Sequence, residues 1–119
     1  MNAPTRMTAF ATASILAALA GLPGSAWAEG DAANGKMLAK ASRCGFCHGE
    51  DGNARSTSLQ VVPMLAGQPA AYLVQEMKNY AEGLRVDTSR KGNMTKELQR
   101  LGEQDYEDIA AFYEAQKRY

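Results

Sequence analysis

Apolar and polar positions along the chain fall into helical periods separated by two unpatterned stretches. From residue 31 to 42, Ala33, Met37, Leu38 and Ala41 recur on one helical face, and Asp31 stands before them as a cap. Gly35 interrupts this run at a cost of about 1 kcal/mol relative to alanine, which close packing against another backbone would offset. A second helix is expected from Pro69, which suits a first helical turn. Tyr72, Leu73, Glu76, Met77 and Tyr80 form its face, and Gly83 is its stop. A short helix from about Thr95 to Leu101 is closed by Gly102. The last helix runs from about Glu103 to Arg118, with a stripe of Tyr106, Ile109, Ala110 and Tyr113 and with Phe112 beside it. Glu103, Asp105, Glu107 and Asp108 crowd its first turns and Lys117 and Arg118 its end, as the helix dipole favours. Residues 48 to 68 and 84 to 93 carry no period and read as loops. Strand alternation is absent. The expectation is an all-α domain of three to four helices with long loops and no internal repeat.

The pattern changes character before residue 29. Arg6 is the only charge there, an apolar run extends from Met7 to Leu22, Pro23 and Gly24 break it, and small residues flank Trp27. These features describe a secretory leader over residues 1–28, cleaved after Ala28, with residues 29–119 as the exported domain. A membrane anchor fits less well, because Thr8, Thr12 and Ser14 dilute a run already short of the roughly 20 apolar residues a span needs. Export places the domain in the periplasm with no membrane span after processing. The whole chain balances 13 Lys and Arg against 13 Asp and Glu, and loss of Arg6 leaves the domain close to neutral. No basic tract interleaves with aromatic residues, so nucleic acid is not an expected partner. Large apolar residues are scarce after residue 28: Ile109 is the one isoleucine, and Phe46 and Phe112 are the phenylalanines. A domain this small needs something besides side chains to fill its middle.

Both cysteines and the only histidine lie in "SRCGFCHGEDG", residues 42–52. A Cys44–Cys47 disulfide would close a very small loop and contribute little to stability. A thioredoxin-like redox pair requires a strand–helix–strand setting that the neighbourhood lacks. Structural zinc requires four ligands, and the cluster offers three, with Cys47 and His48 adjacent in the chain. The pattern C-x-x-C-H is the attachment signature of c-type haem: two cysteines add to neighbouring vinyl groups and the next histidine is carried beneath the iron. Only this reading uses every residue of the cluster, and it also supplies the missing apolar bulk. Cys44 and Cys47 are thus the expected thioether attachments and His48 the first axial ligand.

A sixth ligand to the iron cannot be a second histidine. Methionine is the common alternative and raises the reduction potential. Met37 and Met77 fall on apolar helix faces and read as core filler. Met64 and Met94 lie in or beside loops. Met94 is favoured because an intervening helix lets the chain approach the opposite side of the haem, whereas Met64 still belongs to the loop leaving His48. An iron left without a sixth ligand would instead suit ligand binding or catalysis.

Taken together, "CGFCHGEDG", "PMLAGQPAAYLVQEMKNYAEGLR", "GNM" and "DYEDIAAFY" resemble the class I c-type cytochromes, in particular the bacterial branch related to cytochrome c553 and to each half of dihaem cytochrome c4. The resemblance spans nearly all of residues 31–116. It implies the cytochrome c fold, with first and last helices crossing beside one covalently bound haem c and with Gly35 at that crossing against Phe112 or Tyr113. It further implies that Pro63 offers its carbonyl to His48 Nδ1, that Met94 is the axial methionine, and that Arg85 lies near the haem propionates or the methionine loop. A surface salt bridge is the other reading of Arg85. Met64 departs from the family, where a polar residue is usual after the proline. The implied function is one-electron transfer between redox partner proteins that dock transiently at the haem edge, the carrier itself being a monomer and not an enzyme. A cytochrome subunit of a periplasmic dehydrogenase, for example one oxidising sulfur compounds, is the alternative.

Overall fold

The structure is a computed structural model and describes residues 29–119; the leader expected over residues 1–28 lies outside the described residues. The described chain is helical: α1 (Ala32–Ala41), α2 (Cys44–His48), α3 (Ala70–Ala81), a 3-10 turn (Arg90–Gly92), α4 (Asn93–Leu98) and α5 (Glu103–Glu114). No strand occurs among the described residues. The main packing is α1 across α5, with α3 set against both α5 and α4. This is the all-α arrangement expected, with two elements more than the periodicity shows, α2 and the 3-10 turn.

Asp31 caps α1 as its position implies, its Oδ1 accepting hydrogen bonds from the amides of Ala33 at 2.8 Å and Asn34 at 3.1 Å. The buried face of this helix is the one expected only in part: Leu38 packs against the core. Gly35 and Ala39 are buried, whereas Ala33 and Ala41 face solvent and Met37 is 64 % exposed rather than core filler. The reason is the closeness of the α1–α5 crossing. A Cβ at Gly35 would overlap the carbonyl of Asp108, so glycine is required there by space. Gly35 therefore does lie at the crossing, but against the Asp108–Ile109 backbone rather than against Phe112 or Tyr113.

The stripe read for α5 is buried in full: Tyr106, Ile109, Ala110 and Tyr113, joined by Phe112. Asp108 behaves differently from a dipole-complementing acid. It is 3 % exposed, and its carboxylate accepts from the Asp31 amide at 2.8 Å, Asn34 Nδ2 at 2.7 Å and Gln104 Nε2 at 2.9 Å. A buried carboxylate is tolerated only when satisfied in this way. These bonds hold its pKa below the usual carboxylate value, Asn34 foremost, against the opposing effect of burial. α5 also stops at Glu114, short of the expected Arg118. The tail beyond it turns back to satisfy loop groups: Asn53 Nδ2 donates to the Lys117 carbonyl at 2.8 Å and Arg118 Nε to that of Ala66 at 2.9 Å.

In α3, Leu73 and Val74 are buried and Met77 packs against the same core, while Tyr72 is half exposed. The helix leaves Pro69 and ends before Gly83, as read from the sequence. The fourth helix starts two residues earlier than expected, at Asn93.

Candidate functional site

The Cys–His cluster forms a helical turn of its own. Arg43 adopts left-handed backbone angles (φ 58°), which ends α1 and redirects the chain into α2. A non-glycine residue in that region is uncommon and gathers at functional sites. Within α2, Cys44, Cys47 and His48 are spaced i, i+3 and i+4, which puts both sulfurs and the imidazole on one face of the turn. Periodicity could not reveal a helix of five residues.

The chain then folds over His48. The Ala54 amide donates to the His48 carbonyl at 2.9 Å, and the amides of Leu65 and Ala66 donate to the Gly52 carbonyl at 2.8 and 3.1 Å. Gly52 has φ +77°, and a Cβ there would come within 2.7 Å of the Tyr113 ring and 2.8 Å of the Ala66 nitrogen. The closed loop brings Pro63 to the histidine. His48 Nδ1–H donates to the Pro63 carbonyl, 3.0 Å away. That bond assigns the ring proton to Nδ1 and leaves the Nε2 lone pair as the open donor, the form in which histidine binds metal. His48 is 5 % exposed. Burial lowers its pKa below the ordinary histidine value, partly opposed by the bond to Pro63, so the ring is neutral at pH 7.

The two thiols are not joined to each other. Burial pushes the Cys44 thiol up to about 11, its backbone hydrogen bond opposing and the charges of Glu97 and Cys47 adding to the shift. A thiol held protonated in this way is a poor nucleophile at neutral pH, which speaks against a disulfide-exchange centre. Among the described residues no group of three or more His, Cys, Asp and Glu side chains could hold a metal ion. A structural zinc site, which needs four such ligands, is therefore not supported at this cluster.

Met94 and Cys44 both pack against the buried cluster that includes Leu98, Tyr106 and Phe112. Met94 sits in the first turn of α4, held from the preceding loop. Its amide donates to Ser89 Oγ at 3.0 Å, and Asp87 accepts from the amides of Ser89 at 2.9 Å and Thr95 at 2.8 Å and from the Ser89 hydroxyl. Burial would raise the Asp87 pKa, but the bonds from Ser89 and Thr95 outweigh it and hold the carboxyl down at about 2. Asp87 and Ser89 were not singled out from sequence, although "VDTSR" carries the composition of side-chain-closed turns. Met64 lines a separate open groove with Arg55, Val62, Arg118 and Tyr119. Arg85 forms an ion pair with Glu76, and its guanidinium carbon lies 4.7 Å from the centre of the Tyr80 ring.

The donor set fits a covalently held haem. Two sulfurs and one open imidazole nitrogen share a face, a thioether is available from another element, and the buried Tyr113 hydroxyl has no protein partner. An unpaired buried hydroxyl costs about 1–3 kcal/mol, so a polar or polarisable neighbour beyond the protein atoms is expected beside it.

Comparison with known proteins agrees. The cytochrome c family pattern matches residues 32–116. Cytochrome c4 of Pseudomonas aeruginosa is 43 % identical over 97 residues, a match covering 82 % of this chain and 44 % of that protein. Cytochrome c-554(548) of Halomonas halodenitrificans is 40 % identical over 91 residues, covering 74 % of this chain and 99 % of that one. The crystal structure of reduced recombinant cytochrome c4 from Pseudomonas stutzeri superimposes with a TM-score of 0.59 at 36 % identity, over 76 % of this chain and 47 % of its own. The chain thus spans about half the length of the cytochrome c4 relatives it matches. With one C-x-x-C-H motif and no other cysteine or histidine, it has the means to attach a single haem. The chain belongs to the cytochrome c family, which binds haem c covalently, and its single C-x-x-C-H motif fits one such haem.

Proposed function

We propose that this chain is an exported one-haem electron carrier of the periplasm. Cys44 and Cys47 hold the haem through thioether bonds, and His48 and Met94 ligate its iron. The observation that carries this reading is the α2 turn, which gathers both sulfurs and an imidazole whose open nitrogen is selected by Pro63. When bound, the haem supplies a one-electron Fe(III)/Fe(II) couple. The protein's share is to orient and to exclude water. The Pro63 carbonyl fixes the His48 ring and strengthens its donor nitrogen, and burial of His48 keeps solvent from that side. Asp87 and Ser89 set the turn that presents Met94. Arg85, paired with Glu76 and stacked on Tyr80, braces the end of α3 beside the loop leading to Met94.

Met94 is preferred to Met64 because it shares a packed core with Cys44, while Met64 faces the groove of Arg118 and Tyr119. Cytochrome c-554(548), matched over 99 % of its length, supports a unit of this size. Cleavage after Ala28 would release it as a monomer that meets redox proteins transiently. No helix among the described residues is long and apolar enough to cross a membrane.

Intact-mass analysis tests the attachment. Protein exported from a host that matures c-type cytochromes should weigh as residues 29–119 plus one haem, and Cys44→Ala with Cys47→Ala should carry none. Spectra of Met94→Ala and Met64→Ala test the ligand. The methionine–iron charge-transfer band should vanish only in the former, and its loss in Met64→Ala alone would overturn the choice.

A further inference from the structure

The segment that follows α5 ties together both limbs of the loop covering His48. The outgoing limb, residues 51–54, is held through Asn53, a buried side chain only 9 % exposed. Its Nδ2 donates to the Lys117 carbonyl at 2.8 Å, and its Oδ1 accepts from the Tyr119 amide at 3.2 Å. One carboxamide thus serves the tail as both donor and acceptor, as a neighbouring peptide group would. The Tyr119 hydroxyl adds a bond to Asp51 Oδ2 at 2.8 Å. The returning limb, residues 63–67, is held where Arg118 Nε donates to the Ala66 carbonyl and the Gly67 amide to that of Tyr113, each at 2.9 Å. The limbs meet at the Gly52 carbonyl, which accepts from the Leu65 and Ala66 amides. Between them, residues 55–61 are exposed throughout. Arg55 reaches the Tyr119 main-chain oxygen at 3.3 Å; the other bonds of this excursion, Thr57 to Gln60 and Ser56 to Val62, stay within it. Pro63 therefore stands between a solvent-facing excursion and an anchor at Ala66, three residues on.

We infer that Asn53, assisted by Arg118, is a positioning residue for electron transfer: acting through the loop backbone, the pair fixes how closely the Pro63 carbonyl meets His48 Nδ1. The inference rests on the one-haem carrier reading and adds to it residues that set the reduction potential. The path is short on both limbs. Beside Asn53, the Ala54 amide holds the His48 carbonyl at 2.9 Å and so places the imidazole. Arg118 fixes Ala66 and so places the acceptor. A buried carboxamide is tolerated only when its groups are bonded, which keeps Asn53 on the tail. The Nδ1–Pro63 bond is 3.0 Å long, and a small displacement of either limb changes its strength. A stronger bond makes Nε2 a better donor. A better donor stabilises Fe(III) over Fe(II) and lowers the potential, so loss of the clasp should raise it.

The test compares holoprotein of wild type, Asn53→Ala, Arg118→Ala, Arg118→Lys, Lys117→Ala and Asp108→Asn. Two quantities are read: the reduction potential by voltammetry, and solvent exchange of the His48 Nδ1 proton by NMR of the reduced protein. Asn53→Ala and Arg118→Ala should raise the potential, and in Asn53→Ala the proton should exchange about tenfold faster or more. Arg118→Lys keeps a donor for the Ala66 carbonyl, and Lys117→Ala keeps the carbonyl that Asn53 uses, so both should match wild type. Asp108→Asn weakens the α1–α5 crossing, away from this loop, and should lower stability without moving either quantity. Unchanged potential and exchange in Asn53→Ala, or an equal change in Asp108→Asn, would overturn the positioning role while leaving the carrier reading intact. Should Asn53→Ala yield no folded holoprotein, Arg118→Ala against Arg118→Lys decides, and identical potentials in those two would overturn the role. Absence of a reversible one-electron wave in wild type would remove the carrier reading and the inference with it.

Discussion

The segment that covers His48 and the segment that presents Met94 are held by different means. From Gly49 to Gly67 the chain is tied mainly by its own backbone: Gly52 to Gly49, Ala54 to His48, Leu65 and Ala66 to Gly52, and Gly67 to the Tyr113 carbonyl on α5, with the side chains of Asp51, Asn53 and Ser56 adding to these. From Gly83 to Met94 the decisive partner is one carboxylate, Asp87, with Ser89 passing the contact on to the Met94 amide. Backbone bonds do not titrate and survive most substitutions. A carboxylate does titrate, and it can be deleted. The histidine side should therefore be the more sensitive to steric insult, and the methionine side to chemistry.

The largest effect is expected from Gly52→Ala. It combines left-handed backbone with a Cβ pressed on the Tyr113 ring and the Ala66 nitrogen, costing about 2–5 kcal/mol. Gly92→Ala meets nothing nearer than Asp87 Oδ2 at 3.7 Å despite φ +66°, and should cost about 1–2 kcal/mol. Denaturant melts of the two holoproteins compare them directly, and equal losses would break the contrast.

Next comes Asp87→Ala. Loss of its bonds to Ser89 and Thr95 should destabilise the protein by about 1–3 kcal/mol and weaken the methionine–iron charge-transfer band. Amide exchange should rise around Ser89 to Thr95 and stay unchanged around Ala54 to Ala66. Exchange rising equally on both sides would show that the two segments are one cooperative unit.

A smaller effect should appear on acidification. The Asp87 carboxyl lies at about 2 in the folded protein, below its ordinary value of 3.8. The unfolded chain therefore takes up this proton first, and the stabilisation, complete above about pH 4, is lost as pH falls towards 2. Asp87→Asn should flatten the stability–pH curve in that window. Stability measured between pH 5 and pH 2 decides it, and an unaltered slope would remove Asp87 from the account. The smallest effect belongs to Pro63→Ala. It keeps the carbonyl that His48 needs and loses only ring stiffness, so about 1 kcal/mol or less is expected. The reduction potential should hardly move.

Much of this was legible in the residues. The C-x-x-C-H run, the starts of α3 and α5 and the α5 stripe follow from composition and period, because large apolar side chains mark a buried face clearly. The α1 face did not. Its contact with α5 is made by Gly35 and Ala39, chosen for smallness, and a hydrophobic period ranks Met37 above them. Asp108 was misread because its first role lies with Asn34 and Asp31, more than seventy residues away, where local sequence gives no hint. The α2 turn was too short to show a period.

The Asp108 clamp has a consequence for how the protein is made. It joins positions 77 and 74 residues apart, and closures of that span come late in folding. Cys44, Cys47 and His48 precede α5 in the chain and stay uncovered until that closure forms. During that interval the attachment segment is an open strand of chain, accessible to whatever enzyme joins porphyrin to it, and the arrival of Asp108 shuts the door.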